Sequence, residues 1–528
     1  MKIFLFDKEE KIRKEGIIRS AGIVSIGTFI SRITGLIRLQ VIAYFFGYSQ
    51  ATDAFWLAFS LPNLLRALLA EGALSSAFVP VFSEYCSTRG EREAWRLVNN
   101  IFSLLLLITG SVVLLGVFFA PFYIPYFAIG FRGNPAQLNL TVYLVQLMWP
   151  FLLFISLAAL VMAVLNCKGH FTSPAFAPVF FNFSLIISAI ILISRVGIYS
   201  LAIGVIFGGA LQLFVQFPSL IKKGFKYQFI ISWKDEGVRR VFKLIVPAIL
   251  GSITLQISVL ITRIFASTLP VGSISGLQYA MRLIQFPLGL FPIALSTVIF
   301  PHLSSLAAVK DIEGVRESVG MGIKILSFLL IPSSVGLIML RKELVAVLFQ
   351  HGAFSLQDTL ITSQALFGYC LGLFAMGAVM ILTRAFYSLQ DVVTPLKVFI
   401  LSLLVNIAFN FILIRPLKHQ GLALATSLSV IFNMGLLTFW LKRRLGSIGG
   451  YSLLISILKA CLASTLMGGG IYLLSLLFNL LNPDFSFFWM VVYIIFSLVL
   501  GVGIIAASSY LMKIEEFKIL IASLFKPK

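Results

Sequence analysis

Acidic side chains are scarce in this chain. Its 528 residues include 20 Asp and Glu against 41 Lys and Arg, and charged residues of both signs make up only 12%. A soluble globular domain carries about 25%. That shortfall, with 59% hydrophobic residues and a mean hydropathy of +1.01, excludes a soluble protein and indicates a polytopic membrane protein. Cysteine is equally sparse. Cys86, Cys167, Cys370 and Cys461 stand far apart with no CxxC or metal-ligand spacing, which argues against a disulfide framework and a cysteine metal site. The four histidines, His170, His302, His351 and His419, fall at or near the ends of apolar segments, and none has a nucleophile or carboxylate at a telling distance. A GxxxxGK phosphate loop is missing. No catalytic residue, no metal and no cofactor is therefore expected. The N-terminus, MKIFLFDKEEKIRKEG, lacks the apolar core and cleavage site of a signal peptide, which leaves the first membrane helix as the targeting signal.

What is abundant is apolar sequence in helix-length runs. At 1.5 Å per residue about 20 residues cross a bilayer, and fourteen spans are read: 17–45, 51–83, 97–120, 138–165, 174–194, 199–221, 244–267, 274–305, 318–340, 357–389, 395–414, 420–441, 452–479 and 485–511. With the N-terminus in the cytoplasm, the outer connections hold only Arg132, Arg195, Arg341, Lys342, Arg415 and Lys418, whereas most other cations fall inside. This asymmetry is the positive-inside rule and places both termini in the cytoplasm. The net charge of +21 is thus mostly a topology signal, and nucleic acid is not an expected partner. Lys222, Lys223, Lys226, Lys234, Arg239, Arg240 and Lys243 of the central connection can also meet anionic lipid head groups.

An internal repeat emerges at a shift of 221 residues. Ala73-Leu74-Ser75 falls on Ala294-Leu295-Ser296, Pro80 on Pro301, Ser83 on Ser304, Pro174 on Pro395 and Leu201-Ala202 on Leu422-Ala423. The shift holds six spans, so the repeats begin on the same side of the membrane, the parallel arrangement of transporter lobes. The expected fold is all-α, with an N-lobe (1–221), a basic cytoplasmic linker (222–243), a C-lobe (244–445), and two added helices with a tail (446–528).

Charge inside the spans carries the chemistry. The first span reads Ser31-Arg32-Ile33-Thr34-Gly35-Leu36-Ile37-Arg38, and the second holds Asp53, Pro62-Asn63, Arg66 and Glu71. A central arginine costs about 2.5–3.5 kcal/mol to insert, so three of them indicate a polar cavity and an anionic cargo. Arg32 and Arg38 lie six residues apart and project about 120° from one another. The plainer alternatives stay open: Arg38 snorkelling to the interface or pairing with Asp53, and Arg66 pairing with Glu71. Pro62 kinks its helix and Gly35 thins the first, which makes both candidate gate positions. The second half adds Arg263, Arg282 and Arg384, with Arg282 three residues before Gln285. Guanidinium forks suit phosphate oxygens. Asn406 and Asn410 share a helix face, turned toward Thr426, and without a carboxylate they are read as an inter-helix hydrogen-bond pair before a cation site.

The runs SRITGLIR and TDAFWLAFSLPNLLRALLAEGALSSAFVPVFSEY closely resemble the MurJ (MviN) lipid II flippases of bacterial peptidoglycan synthesis, members of the multidrug/oligosaccharidyl-lipid/polysaccharide (MOP) superfamily. SPAFAPVFFN (173–182), PAILGSITLQIS (247–258), YAMRLIQFPLG (279–289) and AFYSLQDVVTP (385–395) resemble them too. The likeness covers roughly residues 16–445. It implies a transporter that moves lipid II, an undecaprenyl pyrophosphate bearing a disaccharide-pentapeptide, from the inner to the outer leaflet of the bacterial cytoplasmic membrane by alternating access. Membrane lipids are further expected partners, with the cell-wall synthesis machinery a candidate. The resemblance implies that Ser31, Arg32, Arg38, Arg66 and Arg282 bind the cargo. Gly35, Asp53, Pro62, Asn63, Glu71 and Gln285 are expected to gate or couple, and the last two helices to hold the lipid tail. Where the family usually has acids, this chain has Leu39 and Gln285, and Ser60 stands where a basic residue is frequent. The rival readings are a flippase for another polyprenyl-pyrophosphate glycan, a drug/cation antiporter, which would need Asp53 or Glu71, and a lipid-modifying membrane enzyme.

Overall fold

The computed structural model describes residues 2–68, 74–481 and 486–519, with side chains described outside 2–21, 247–255 and 481. Every regular element among them is helical. The chain divides into two compact units, Met1–Thr268 and Leu269–Lys528. The first holds α1 (Lys2–Phe46), α2 (Gln50–Leu68), α3 (Leu74–Thr88), α4 (Glu91–Phe127), a short 3-10 turn (Ile129–Gly133), α5 (Pro135–Met148), α6 (Phe151–Cys167), α7 (Thr172–Val196), α8 (Tyr199–Phe214), α9 (Phe217–Lys222) and α10 (Glu236–Ser267). The second holds α11 (Ser273–Leu290), α12 (Pro292–Ala308), α13 (Ile312–Met339), α14 (Arg341–Phe349), α15 (Leu356–Cys370), α16 (Leu373–Ser388), α17 (Val393–Leu445), α18 (Gly450–Leu481) and α19 (Phe487–Leu511).

Local chemistry sets these boundaries. The Asn134 side chain accepts from Gln137 N at the start of α5 with Pro135 behind it, Asp235 caps α10, Asp311 caps α13, and Ser355 with Asp358 forms a capping box on α15. Gly197 and Gly446, both at positive φ, end α7 and α17.

The fourteen-span expectation is met only in part: among the described residues ten helices are long and apolar enough to cross a membrane, or eleven if α15 and α16, bent by 44°, form one span. The differences have definite places. The expected span 51–83 corresponds to α2 and α3, separated by residues outside the described set. The expected span 244–267 lies in α10, of which Gln256–Ser267 qualifies as a shorter apolar helix. The expected spans 395–414 and 420–441 are the two arms of α17, which meet at a kink where Lys418 takes φ 49°, ψ −129°. The hydropathy dip over Arg415–Lys418 thus coincides with the break between the two arms.

The repeat is plain in the element boundaries. α5 recurs as α15, α6 as α16, α3 as α12 and α4 as α13, and α7 with α8 recurs as the two arms of α17, all displaced by about 221 residues. The first unit is cored by Phe55, Trp56, Phe78, Phe82 and Phe151, and α10 packs there against α2, α3 and α4. In the second unit Tyr279 meets Phe349 and Phe354 at ring-centroid separations of 5.0 and 5.7 Å. The added helices α18 and α19 bury Met467, Ile471 and Tyr493 with Leu340. Large apolar side chains such as Leu114, Phe118, Val499 and Val502 are exposed, a surface that only lipid accommodates.

The two ends of α17 are tied by Asp391, in the turn before it. Its carboxylate accepts from Thr394 N (2.9 Å) and Thr394 Oγ1 (2.8 Å) and pairs with Arg444 (2.8 Å). Burial pulls this carboxyl upward, but the Thr394 hydrogen bonds and the Arg444 charge outweigh it and hold it below its ordinary range. A folded-state pKa below the unfolded one adds stability above the unfolded value, and that stability disappears as pH falls through the folded value. Asp391→Ala should therefore cost about 1 kcal/mol near neutral pH. Thermal unfolding in detergent should show the wild-type advantage shrinking as pH falls below about 4, and a pH-independent difference would refute this account.

Candidate functional site

Arginine Arg32 projects from α1 into a cavity of about 300 Å³, lined also by Thr28 and Ser31 of α1, Asn166 of α6, and Phe171, Pro174 and Pro178 at and within the start of α7. That volume is at the small end for ligand sites and suits a compact charged handle, not a whole glycopeptide. α1 and α7 cross closely because Gly27 has no side chain: a Cβ there would lie 2.8 Å from both the Cβ and carbonyl oxygen of Ala175. One turn deeper, Asn182 Nδ2 donates to Ser31 O (3.1 Å) and to Thr34 Oγ1 (3.0 Å), so α7 sets the rotation of the stretch that carries Ser31, Arg32 and Gly35. Gly35 is buried.

Arg38 occupies a different setting, its guanidinium 5.5 Å from the centre of the Phe181 ring, a cation–π contact that keeps a cation in an apolar wall. Neighbouring Leu39 is 1% exposed. An acid there would be a buried charge, so the core is built around its absence.

On α2, Asp53 is buried in the first turn and Pro62 is buried inside the helix. Arg66 Nε donates to Asn63 Oδ1 at 2.9 Å, so the residue following the proline braces the arginine one turn on. Glu71 lies outside the described residues, and so does the Arg66–Glu71 alternative.

In the second unit Arg282 Nη1 donates to Gln285 Oε1 at 3.1 Å. Gln285 thus orients the arginine as an acid would, without neutralising it. Arg384 stacks 5.1 Å from the Phe300 ring centre. Arg263, expected with the second half, donates from Nη1 to the Trp56 carbonyl of α2 (2.9 Å), within the first unit. It holds a backbone oxygen in the helix that Pro62 interrupts.

The Asn406–Asn410 pair is an inter-helix hydrogen-bond cluster, and its partner differs from the expected Thr426. Asn410 Nδ2 donates to Asn406 Oδ1 (3.1 Å) and Asn406 Nδ2 to Ser429 Oγ (3.5 Å), while Thr426 bonds back to its own helix at Leu422 O. Among the described residues no group of three or more His, Cys, Asp or Glu is placed to hold a metal.

Sequence reading therefore brought out Ser31 with Arg32, Asn63 with Arg66, and Gln285 with Arg282, each pair adjacent in space. It missed Thr28, Asn166 and Asn182. The motif SPAFAPVFFN carried the signal for the last, since a polar residue ending an apolar run after two prolines has few uses other than helix contact.

A family model, "Lipid II flippase MurJ", matches residues 42–493. A relative from Buchnera aphidicola, "Probable lipid II flippase MurJ", is 38% identical over 423 residues, 80% of this chain and 83% of that protein. A solved structure, "Lipid II flippase MurJ, inward closed conformation", aligns with a TM-score of 0.78 at 31% identity, covering 92% of this chain and 98% of that one. An inward-facing multidrug resistance MATE family transporter of the MOP superfamily aligns at a TM-score of 0.66 and 15% identity over 82% of this chain and 99% of its own, a likeness of fold.

Proposed function

This chain belongs to the MurJ lipid II flippase family, and on that premise we propose a mechanism in which its membrane arginines carry the cargo's pyrophosphate. The protein is a multi-pass membrane transporter that flips lipid II, the lipid-linked peptidoglycan precursor, in the bacterial cytoplasmic membrane. The observation that carries the reading is a match along 42–493 combined with arginines set into apolar helices.

In the proposed mechanism the repeats, 1–221 and 244–445 joined by the basic segment 222–243, alternate between inward- and outward-facing states with both termini cytoplasmic. Arg32 takes the diphosphate, supported by Ser31, and Arg38, Arg66 and Arg282 complete the cationic path. Gly35 and Pro62 give the helices that bend. Asn63 and Gln285 orient their arginines, and Asp53 and Glu71 balance charge while the cavity is empty. Leu39 and Gln285 leave that path more positive than an acid-bearing one, which favours a multiply charged anion. Residues 446–528 hold the undecaprenyl tail, which stays in lipid. Each charge moved across the potential is worth about 2.3 kcal/mol per 100 mV, so a negative interior helps return the empty cationic site inward.

The test is complementation. In a bacterium depleted of its own flippase, expression of this chain should restore growth and bring lipid II within reach of an added colicin that cleaves it outside. Normal membrane expression with no lipid II cleavage would defeat the assignment of cargo.

A further inference from the structure

The segment between α9 and α10 is neither a span nor a slack connection. Residues 225–232 have no regular secondary structure and lie against α4 at residues 99–103. Asn99 Nδ2 donates to Lys226 O (3.1 Å) and Gln228 N donates to Asn99 Oδ1 (2.9 Å). Asn100 repeats the clamp at Ser232, donating to its carbonyl and accepting from its amide, both at 2.9 Å. Between them Ile230 N donates to Ser103 Oγ (3.4 Å). Asn99, Asn100 and Ser103 are almost fully buried, so α4 commits three interior polar groups to holding this strap.

The strap buries its first residue and leaves most of the residues that follow exposed. Phe225 is buried beside Trp95 and Phe102. Beyond it Tyr227 is 48% exposed, Phe229 63%, Ile231 45% and Trp233 53%, with Tyr227 resting on Phe102 and Trp233 on Phe242. Four large apolar side chains in one exposed row outside any span are unfavourable in water. Lys222, Lys223, Lys226, Lys234 and Lys243 are exposed around this row and make no ion pair among the described residues. The two acids of the segment are engaged, Asp235 in capping α10 and Glu236 with Arg89 at 2.6 Å.

We propose that residues 222–243 form a membrane-surface strap in which Tyr227, Phe229, Ile231 and Trp233 insert at the lipid–water boundary and the lysines bind anionic phospholipid head groups. Position and charge select this occupant. The clamps fall on residues 99, 100 and 103, where α4 enters the bilayer, so the strap lies at interfacial depth, where Trp and Tyr partition and lysines reach head-group phosphates. The proposal rests on the membrane-spanning reading of α4 and is independent of which cargo is flipped.

The test uses the full chain in nanodiscs, with the Trp233 signal isolated as the fluorescence difference between wild type and Trp233→Phe. Quenching by phosphatidylglycerol brominated near the head group should exceed quenching by equally brominated phosphatidylcholine by about twofold or more, because one lysine at an anionic surface is worth roughly fivefold in local occupancy. Aqueous iodide should quench little. A variant with Lys222, Lys223, Lys226 and Lys234 changed to Gln should lose the phosphatidylglycerol preference while keeping lipid contact. Iodide quenching without lipid quenching would overturn the proposal, and equal quenching by the two lipids would overturn its anionic part. Protection from iodide in native membranes but not in nanodiscs would replace the lipid with a protein partner. None of these readouts depends on transport, so failure of the flippase assignment would be seen separately.

Discussion

Arg32→Ala is expected to abolish lipid II flipping while leaving the protein inserted and folded. Arg32 is exposed and lines a cavity, so its loss should leave the helix packing in place, whereas a hydrogen bond to a charged partner is worth about 1.5–3 kcal/mol, or roughly 10–150-fold in cargo engagement. Arg32→Lys keeps the charge and loses the planar fork, so partial activity is expected. The measurement is colicin-accessible lipid II in the depleted strain, alongside thermal stability of the purified variants. Full flipping by Arg32→Ala would remove Arg32 from the site. A drop in its thermal stability to match the transport loss would assign it a structural role.

Gly27→Leu is expected to damage both fold and transport. Its Cβ alone would sit 2.8 Å from the Ala175 Cβ and from backbone, a distance that forces α1 away from α7. Overpacking of this kind costs about 1–3 kcal/mol. The displacement would also pull Ser31 and Thr34 from Asn182 and carry Arg32 out of its cavity. Gly27→Ala should be milder, and pairing it with Ala175→Gly should recover part of the loss by removing the Cβ–Cβ clash. Wild-type stability and flipping in Gly27→Leu would mean that the close crossing is dispensable.

Much of the site was legible because charge in apolar sequence is conspicuous. Arg32, Arg66 and Arg282 stand out with no structure at all, and Asn63 and Gln285 hydrogen-bond to Arg66 and Arg282 because one helical turn joins each pair. Residues that act across helices were harder. Asn182 and Asn166 belong to helices far along the chain from Arg32, and no spacing rule links them to it. Thr426 seemed the partner of Asn406 because hydropathy periodicity fixes a face but not the axial register between two arms, and Ser429 sits at the right height. The central basic segment shows the same limit. Its charge was evident, but a row of alternating aromatics becomes an exposed face only once Asn99 and Asn100 clamp the backbone.

Composition and run length were thus enough to determine an all-helical membrane protein, because that property follows from the cost of placing polar groups in hydrocarbon. Tertiary structure decided the rest. It set which helices touch, where α10 packs, how sharply the two arms of α17 kink at Lys418, and which polar atoms meet. Those outcomes depend on contacts between residues distant in the chain, where a missing side chain at Gly27 or an amide at Asn182 matters only through what lies opposite.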